Sequence, residues 1–461
     1  MVRRIGTLKL WGLVALASAG VLIAQSGRSY SAGHAWWNAG DGGVLPWEEA
    51  YDNPDGQVSI FNKDGAVHTA GHAFFERLGT NGRACVTCHQ PSDAMSLSPA
   101  SARERWTETR GKDPLFAAID GANCPDLRTE AMDSHSLLLE RGLFRIFLPW
   151  PPKSAGGTTI QPDFHIEVVR DPTGCNTGPV YGLKGPQPAI SVYRRPRVAA
   201  NFEYVIRGAA GSTLMADGRE PTLESQAITA AIVHEQAKSR PSATQLREIV
   251  AFERQIYVAQ SADVRGGRLN EKGGPRSLGP ENLAAGLLSN AAIPSFDVWR
   301  KPGGAPDLGL QLEFRASVAR GSDVFSTRTF LVGGAKATCA TCHNSRETRW
   351  MDIGTSSSAA AQGAPQLPLF RITCDATAPP HPLFGREFYT QDPGRGLISG
   401  KCSDAGAIVL QQLRGLAARS PYFSNSSART LREVVDFHDR HFQIGYTAQE
   451  MQDLVNFLSV L

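Results

Sequence analysis

Amphipathic segments with clear start signals dominate the C-terminal part of the chain. The stretch TLREVVDFHDRHF opens on Thr430 with Glu433 three residues later, and TAQEMQDLVNFL opens on Thr447 with Glu450. A hydroxyl at the N-cap with a glutamate at the third helical position is typical of a capping box, in which each side chain bonds the other residue's backbone N–H. Both stretches therefore predict helices. Most of the remaining chain also favours helix, so we expect a mainly α protein.

Residues 122–197 have a different pattern. The segments FHIEVVRDP and ISVYRR partly alternate apolar with polar positions and contain many β-branched and aromatic residues. Alternation with a period of two is typical of half-buried strands. We therefore expect a few short strands here, forming a small β-containing insertion in an otherwise helical domain.

The first 32 residues have the pattern of an export signal. MVRRIGTLKLWGLVALASAGVLIA begins with basic residues and continues with an apolar stretch of about 15 residues. The small-residue segment GRSYSAGHA then offers a cleavage site near Ala32. This pattern predicts a periplasmic protein with a cleaved signal peptide. An uncleaved membrane anchor is the less favoured alternative, and no later stretch is long and apolar enough to span a bilayer.

Composition and charge say little about partners but help to divide the chain. The formal net charge of the 461 residues is +3, and no basic run suggests nucleic-acid binding. The length suffices for two or three domains. A segment rich in glycine, proline and charge, VRGGRLNEKGGPRSLGPENLAAG at 264–286, marks a boundary. We expect an N-terminal domain over residues 33–275, which carries the insertion, and a C-terminal domain over residues 276–461.

Two CxxCH pentads are the most specific chemical signal in the chain. CVTCH begins at residue 85 and CATCH at residue 339. With this content of cysteine and histidine, a random chain would contain about 0.003 such pentads. Each thiol can bond one vinyl group of a haem while the adjacent imidazole reaches the iron, whereas a zinc site would need a second pair of ligands nearby. We therefore expect two covalently bound c-type haems, held by Cys85, Cys88 and His89 and by Cys339, Cys342 and His343.

The other four cysteines form two local pairs along the chain. Cys124 and Cys175 lie in the insertion, and Cys374 and Cys402 lie in the C-terminal domain. Such pairs close into disulfides in an oxidising compartment. We therefore expect the bridges Cys124–Cys175 and Cys374–Cys402, with four buried thiols as the alternative.

Several longer stretches carry a combined signature. They are QLRGLAARSPYFSNSSARTLREVVDFHDRHFQIG, DPGR at 392–395, LMADGREPTLESQA at 214–227, and GHAFFERLGTNGRACVTCH at the first pentad. Together they resemble the bacterial dihaem cytochrome c peroxidase and MauG superfamily, over both domains but not over the insertion. The resemblance implies two cytochrome c-like haem domains and a small electron donor such as a cytochrome c or a cupredoxin. It also implies hydrogen peroxide or another small oxidant as substrate, and it leaves a homodimer open.

The second haem has a clear candidate for its other iron ligand. In the family this ligand lies on the helix after Pro-Tyr-Phe, at the position that is His438 here. Helical spacing supports the same residue, because Leu431, Val434, Val435 and His438 share one face. Ligation by His441 and a structural role for His438 are the alternatives. Two histidines on one iron give a lower potential than histidine with methionine, so we expect a six-coordinate electron-transfer centre.

The first haem is expected to be the reactive one. In the family a glutamine, and further along a glutamate, line its open side. Gln226 matches the glutamine here, and Glu235, which follows nine residues later and one short of the family's spacing, is the candidate acid–base residue. His234 supports a different interpretation, because it shares a helix face with small alanines and would close the iron as a distal ligand. A solvated helix end is the third interpretation, and Met95, six residues after His89, is expected to pack rather than to bind iron.

Three departures from the family pattern affect the functional prediction. Ala216 stands where the family has a tryptophan between the haems, and Ser424 stands where it has a histidine. The family's calcium ion is matched only loosely, at Asn201. Three functions remain: a periplasmic hydrogen peroxide reductase in which the second haem passes electrons to the first, a MauG-like or rubber-oxygenase-like enzyme, and a non-catalytic dihaem electron carrier. We favour the peroxidase.

Overall fold

The computed structural model describes most of the chain beyond the expected signal peptide. It covers residues 36–128, 130–154, 156–206, 214–286, 296–300, 309–343, 350–352 and 364–461. The expected export signal and its cleavage site lie outside these residues. Within the described ranges, no helix is both long enough and apolar enough to cross a bilayer.

The fold is a mixture of helices and small sheets, so the expectation of a mainly α protein is wrong. Fifteen strands in the described residues pair into six sheets of two to four strands. The strands are β1 (Val44–Leu45), β2 (Glu48–Asn53), β3 (Gly56–Asn62), β4 (Val67–His68), β5 (Phe144–Pro149), β6 (Phe164–Arg170), β7 (Ala189–Arg194), β8 (Ile256–Asp263), β9 (Gly267–Arg268), β10 (Phe330–Val332), β11 (Ala335–Ala337), β12 (Trp350–Asp352), β13 (Leu369–Cys374), β14 (Glu387–Thr390) and β15 (Ala407–Val409).

Helices lie between these strands and form the C-terminal end. They are α1 (Cys85–Cys88), α2 (Pro99–Thr109), α3 (Ser136–Arg141), α4 (Phe202–Val205), α5 (Leu223–Val233), α6 (Ala243–Gln255), α7 (Pro280–Ala284), α8 (Gly309–Thr327), α9 (Cys339–Cys342), α10 (Gly396–Ser399), α11 (Leu431–Phe442) and α12 (Ala448–Ser459). The two helices expected from capping boxes are α11 and α12. The box of α12 is complete, and Thr430 caps α11 while Glu433 bonds the backbone N–H of Arg429.

The first pentad lies beside the largest sheet. This sheet has the antiparallel order β2-β3-β8-β9, so it joins strands from near the two ends of the expected N-terminal domain. Val58 and Ile60 of β3 belong to one apolar core with Phe74 and Phe252. The rings of Phe74 and Phe252 lie 4.5 Å apart, between their centroids. The helical turn α1 packs against this core.

The second pentad lies beside a helical core. Phe314 and Val318 of α8 pack with Leu454 and Phe457 of α12. The two helices approach closely at Gly321, where an added Cβ would lie 2.0 Å from the carbonyl oxygen of Asp453. Only glycine permits this approach. The predicted helices near the C-terminus therefore build the support for the second pentad.

The insertion contains the expected strands, but it is not a separate element. Strands β5, β6 and β7 lie within residues 122–197, and β6 pairs with β13 in a sheet of order β14-β13-β6. Residues 364–405 thus pack on the insertion across the boundary expected at residue 276. Both expected disulfides, Cys124–Cys175 and Cys374–Cys402, are confirmed.

Each disulfide should contribute measurably to stability. Replacing both Cys374 and Cys402 with alanine opens a loop with a sequence separation of 28, and we expect a loss of about 3.6 kcal/mol in the free energy of unfolding. The same change at Cys124 and Cys175 opens a separation of 51 and should cost about 4 kcal/mol, since longer loops gain more chain entropy. Urea unfolding followed by circular dichroism measures both losses. Equal stability of the native protein with and without a reductant would contradict the expectation.

Candidate functional site

The two CxxCH pentads have the same local structure. Each CxxC segment forms one helical turn, α1 or α9, after an extended N-cap residue with φ of −127° or −126°. The threonine of each pentad, Thr87 or Thr341, accepts a hydrogen bond from the N-cap backbone N–H at 3.0 or 2.9 Å. The N–H of each pentad histidine then bonds the carbonyl of the first cysteine. The two pentads therefore form a structural repeat at these two turns.

The pentad cysteines differ from the other four in their covalent state. None of the four pentad cysteines is disulfide-bonded, whereas the other four cysteines form the two bridges. Burial raises the pKa of Cys85, and it raises the pKa of Cys88 to about 12. Both are therefore neutral thiols at neutral pH. Within the described residues, neither pair of pentad cysteines has the further His, Cys, Asp or Glu ligands that a structural zinc site needs.

Each pentad borders a cavity. The first cavity is bordered by Cys85, Cys88 and His89. The second cavity is bordered by Cys339, Cys342 and His343. Their walls are mainly apolar. The residues present thus fit two covalently attached haems.

Two imidazoles face each other in the second cavity. The ring centroids of His343 and His438 are 6.5 Å apart. An iron between them needs two metal–nitrogen bonds of about 2 Å each plus the two ring radii, which adds up to nearly this spacing. The Nδ1 of His438 donates to the carbonyl of Val434 at 2.8 Å, so Nε2 is the nitrogen left for the metal. The geometry therefore suits ligation of one iron by His343 and His438.

His441, the alternative ligand, lies elsewhere. Its side chain is exposed, and its ring stacks on Phe437 with an interplanar angle of 7°. By contrast, the helix face expected from the sequence borders the second cavity, with Leu431, Val435 and His438 among its lining residues. The structure thus places His438, and not His441, opposite His343.

In the first cavity, His89 is oriented by the backbone of Met95. The Nδ1 of His89 donates to the Met95 carbonyl at 3.1 Å. Burial lowers the pKa of His89 to about 4, so the imidazole is neutral and can bind iron through Nε2. The Met95 side chain is fully buried in the apolar core, as expected for packing. Nothing in the sequence indicated the role of the Met95 carbonyl.

His234 also borders the first cavity and has a charged partner. Its Nδ1 lies 2.6 Å from Oδ2 of Asp120, and the other oxygen of Asp120 pairs with the buried Arg83. Burial alone would raise the pKa of Asp120, but Arg83 and His234 hold it below its usual value. His234 is thus fixed by an ionised carboxylate. The sequence predicted neither Asp120 nor Arg83, because both come from segments distant along the chain.

Gln226 and Glu235 lie in the same cavity. The Oε2 of Glu235 accepts a hydrogen bond from the backbone N–H of Leu78 at 3.2 Å, and its Oε1 accepts one from Cys85 at 3.4 Å. Burial raises the pKa of Glu235 to about 7. The buried Oε1 of Gln226 has no hydrogen-bond partner among the described residues. The structure therefore brings the predicted residues of the first site together, with Glu235 beside the attachment thiol.

Glu253 is a further carboxyl group in the first cavity. It is 3% exposed, and its Oε2 has no hydrogen-bond partner among the described residues. Burial, and then the nearby Glu224, raise the pKa of Glu253 to about 8. The residue is neutral over much of the physiological range and can donate a proton. In the sequence it looked like an ordinary polar position of helix α6.

The structure gives no support to the calcium ion expected at Asn201. The Oδ1 of Asn201 accepts a hydrogen bond from the backbone N–H of Val258 at 3.0 Å, and its Nδ2 donates to Gln412. In the parts of the chain that are described, no group of three or more His, Cys, Asp or Glu side chains could hold a metal ion. A haem iron takes four ligands from the porphyrin, so this criterion does not apply to the two haem sites.

Comparisons with known proteins add little. A chain of Kuenenia stuttgartiensis hydrazine synthase, from a structure pressurised with 20 bar xenon, aligns with 79% of this chain and 93% of its own length. The identity is 15% and the TM-score is 0.26, which is too low to show a shared fold. No family model matches the chain, and no curated protein matches it. The case for a function therefore depends on the residues and geometry of the two cavities.

Proposed function

We propose that the protein is a periplasmic two-haem c-type oxidoreductase. The second haem receives and passes on single electrons, and the first haem reduces a small oxidant such as hydrogen peroxide. The observation that carries this proposal is the difference between the two cavities. In the second cavity two imidazoles lie opposite each other, which leaves no free side for an oxidant at an iron bound between them. The first cavity contains His89 together with three side chains that can hold a proton: His234, Glu235 and Glu253.

The second cavity suits electron transfer. Burial, together with the neighbouring His438, lowers the pKa of His343 to about 3, and burial also lowers the pKa of His438. Both imidazoles are therefore neutral, which is the form that binds iron. Ligation by two histidines keeps the potential below that of a haem with a methionine ligand, so the second haem is a suitable electron source for the first.

The first cavity suits proton-coupled reduction. A haem attached at His89 supplies the redox chemistry. Reduction of hydrogen peroxide to two waters consumes two electrons, which come from an external donor through the second haem, and two protons. The Nδ1 of His234 lies 2.6 Å from Oδ2 of Asp120, so the Nε2 of that imidazole is the nitrogen left to exchange a proton. Burial raises the pKa of Glu235 to about 7, so this carboxyl group can also accept or donate a proton.

A non-catalytic electron carrier is the second candidate. The observation in its favour is the hydrogen bond between Asp120 and His234, because metal-ligating histidines commonly bond a carboxylate through the nitrogen that does not bind the metal. If His234 ligates the first iron, both haems are closed. No feature of the described cavities favours the MauG-like or rubber-oxygenase-like alternative.

Electron paramagnetic resonance of the oxidised and half-reduced protein separates these candidates. For a peroxidase we expect a high-spin first haem in at least one state, with the signal abolished by cyanide. His234→Ala should then keep the high-spin signal and lower kcat/KM for peroxide by about 10²–10⁴-fold, the range for loss of an acid–base group. His135→Gln is the matched control, since His135 is buried but bonds the Phe116 carbonyl outside both cavities.

The opposite pattern would identify the carrier. Two low-spin signals that persist through half-reduction, one of which becomes high-spin only in His234→Ala, would show that His234 is an iron ligand. Peroxide reduction would then be excluded at a closed first haem. A protein without covalent haem would overturn both candidates.

A further inference from the structure

Three arginines meet where the two cavities adjoin. The segment RRPR at 194–197 runs between the cavities, and both Arg195 and Pro196 border the first and the second. Arg197 borders the first cavity, and Arg419 borders the second. Gln411 also borders both. These residues therefore form a wall that the two proposed haem sites share, and we call Arg195, Arg197 and Arg419 the junction arginines.

The junction arginines make no direct contact with a carboxylate in the described residues, although Asp93 attracts Arg195 and Asp217 attracts Arg197 at longer range. Within the described residues, none of the three takes part in a salt bridge, and their guanidinium groups donate to backbone carbonyls instead. Arg195 donates to the backbone carbonyls of Leu97, at 2.7 Å, Arg419 and Pro421. Arg197 donates to those of Val409, at 2.8 Å, and Leu410, at 2.7 Å. Arg419 donates to that of Gln412 at 2.7 Å. The neighbouring Arg194, by contrast, pairs with two aspartates.

Their burial makes this arrangement costly for the protein alone. Arg195 is 8% exposed and Arg419 is 6% exposed, and the Nε of each lacks a hydrogen-bond partner among the described residues. Burial lowers the pKa of Arg195 and Arg197 to about 10, and burial together with Arg195 lowers that of Arg419 to about 9. All three remain cationic at neutral pH. Buried charges are normally paired. The nearby carboxylates already have other partners, since Asp93 bonds Ser98 and Ser101 and Asp217 pairs with Arg194 and Arg219, so the junction retains positive charge for a further anion.

We infer that the junction arginines form a carboxylate-binding site shared by the two cavities, and that its ligands are the propionate groups of the two haems. This inference rests on the proposed function. Guanidinium groups recognise carboxylates through strong charge-assisted hydrogen bonds, and each haem carries two carboxylates. Haems held by the two pentads would place their propionate groups at the common wall, where Arg195 borders both cavities.

If the site is shared, the charge of each arginine should affect the reduction potentials of particular haems. A positive charge near a haem favours the added electron, so its removal lowers the reduction potential. Arg195 borders both cavities, so its charge acts on both haems. Arg197 acts mainly on the first haem and Arg419 mainly on the second. This pattern distinguishes a shared site from three unrelated structural arginines.

Spectroelectrochemical titration of the haem-loaded protein tests the pattern. In Arg195→Met we expect the reduction equilibrium constant of both haems to fall about tenfold, which is 59 mV for a one-electron couple. Arg197→Met should shift the first haem more, and Arg419→Met the second. Arg195→Lys keeps the charge and should restore most of the shift, which loss of packing alone would not allow. Arg145→Met is the matched control, because Arg145 is 2% exposed, donates to Ser191 and to the Ile119 carbonyl, and borders neither cavity.

Several outcomes would overturn the inference. A shift of only one haem in Arg195→Met, or a shift no larger than that of Arg145→Met, would show that the site is not shared. Potentials of the native protein that change with added inorganic phosphate would show that a free anion, and not the propionates, occupies the junction. If the potentials of Arg195→Met are unchanged while the native protein holds both haems and reduces peroxide, the arginine site is rejected and the proposed function stands. A native protein without haem would reject the proposed function as well.

Discussion

His438→Ala is expected to convert the second haem from a closed to an open site. The centroids of His343 and His438 are 6.5 Å apart, so removal of one imidazole leaves the iron with a vacant position and space beside it. The oxidised second haem should change from low-spin to high-spin, and its reduced form should bind carbon monoxide. Electronic absorption and electron paramagnetic resonance measure both changes, and added imidazole should reverse them.

His441→Ala is the matched control for this experiment. His441 lies three residues further along α11, but its side chain is exposed and stacks on Phe437. We expect its removal to leave the spectrum of the second haem unchanged. A high-spin second haem in His441→Ala, or a low-spin one in His438→Ala, would contradict the assignment of His438. His438→Met gives a further check, because thioether ligation should raise the potential of this haem.

The sequence predicted the parts of the site that depend on local spacing. The CxxCH pentads, the face of α11 that carries His438, and both disulfides are each specified by residues close together in the chain or by a simple pairing of cysteines. The family position indicated His438 and the helical periodicity of 3.6 residues supported it, while His441 stayed an alternative. The structure places His438 opposite His343 and His441 against Phe437.

The fold class was wrong because buried strands lack the signal used to find them. Strand β8 has the sequence IYVAQSAD, and nearly all of its residues are buried. A strand covered on both faces does not alternate, so its pattern cannot be separated from that of a buried helix. Strand β6, which has one partly exposed face, alternates and was predicted.

Residues that act through distant contacts were also missed. Asp120 bonds His234 across 114 positions of the chain, and the junction arginines contact carbonyls from several separate segments. Nothing in the local sequence around Asp120 marks it as a partner of a histidine. The two cavities therefore differ chiefly through contacts that only the folded chain creates, although their attachment motifs are nearly identical.

Arg194→Met is expected to cause the largest loss of stability, about 5 kcal/mol in the free energy of unfolding. Arg194 bonds Asp392 through two nitrogens, at 2.6 and 2.9 Å, and Asp217 through the third, at 2.5 Å. All three side chains are buried. Removal of the cation leaves Asp392 as a buried carboxylate without its counter-charge. Urea unfolding measures the loss, and Arg254→Met, which breaks the more exposed pair with Glu203, should cost less than about 1 kcal/mol.

The pH dependence of unfolding tests the same ion group in a second way. Burial alone would raise the pKa of Asp217, but Arg219 and Arg194 hold it at about 2. The folded pKa lies below the unfolded value near 3.9, so this stabilisation is present above that pH and is lost as the pH falls towards 2. In Arg194→Met the loss over this range should be smaller, because only Arg219 remains beside Asp217. An unchanged acid profile would show that Arg194 contributes packing and not charge.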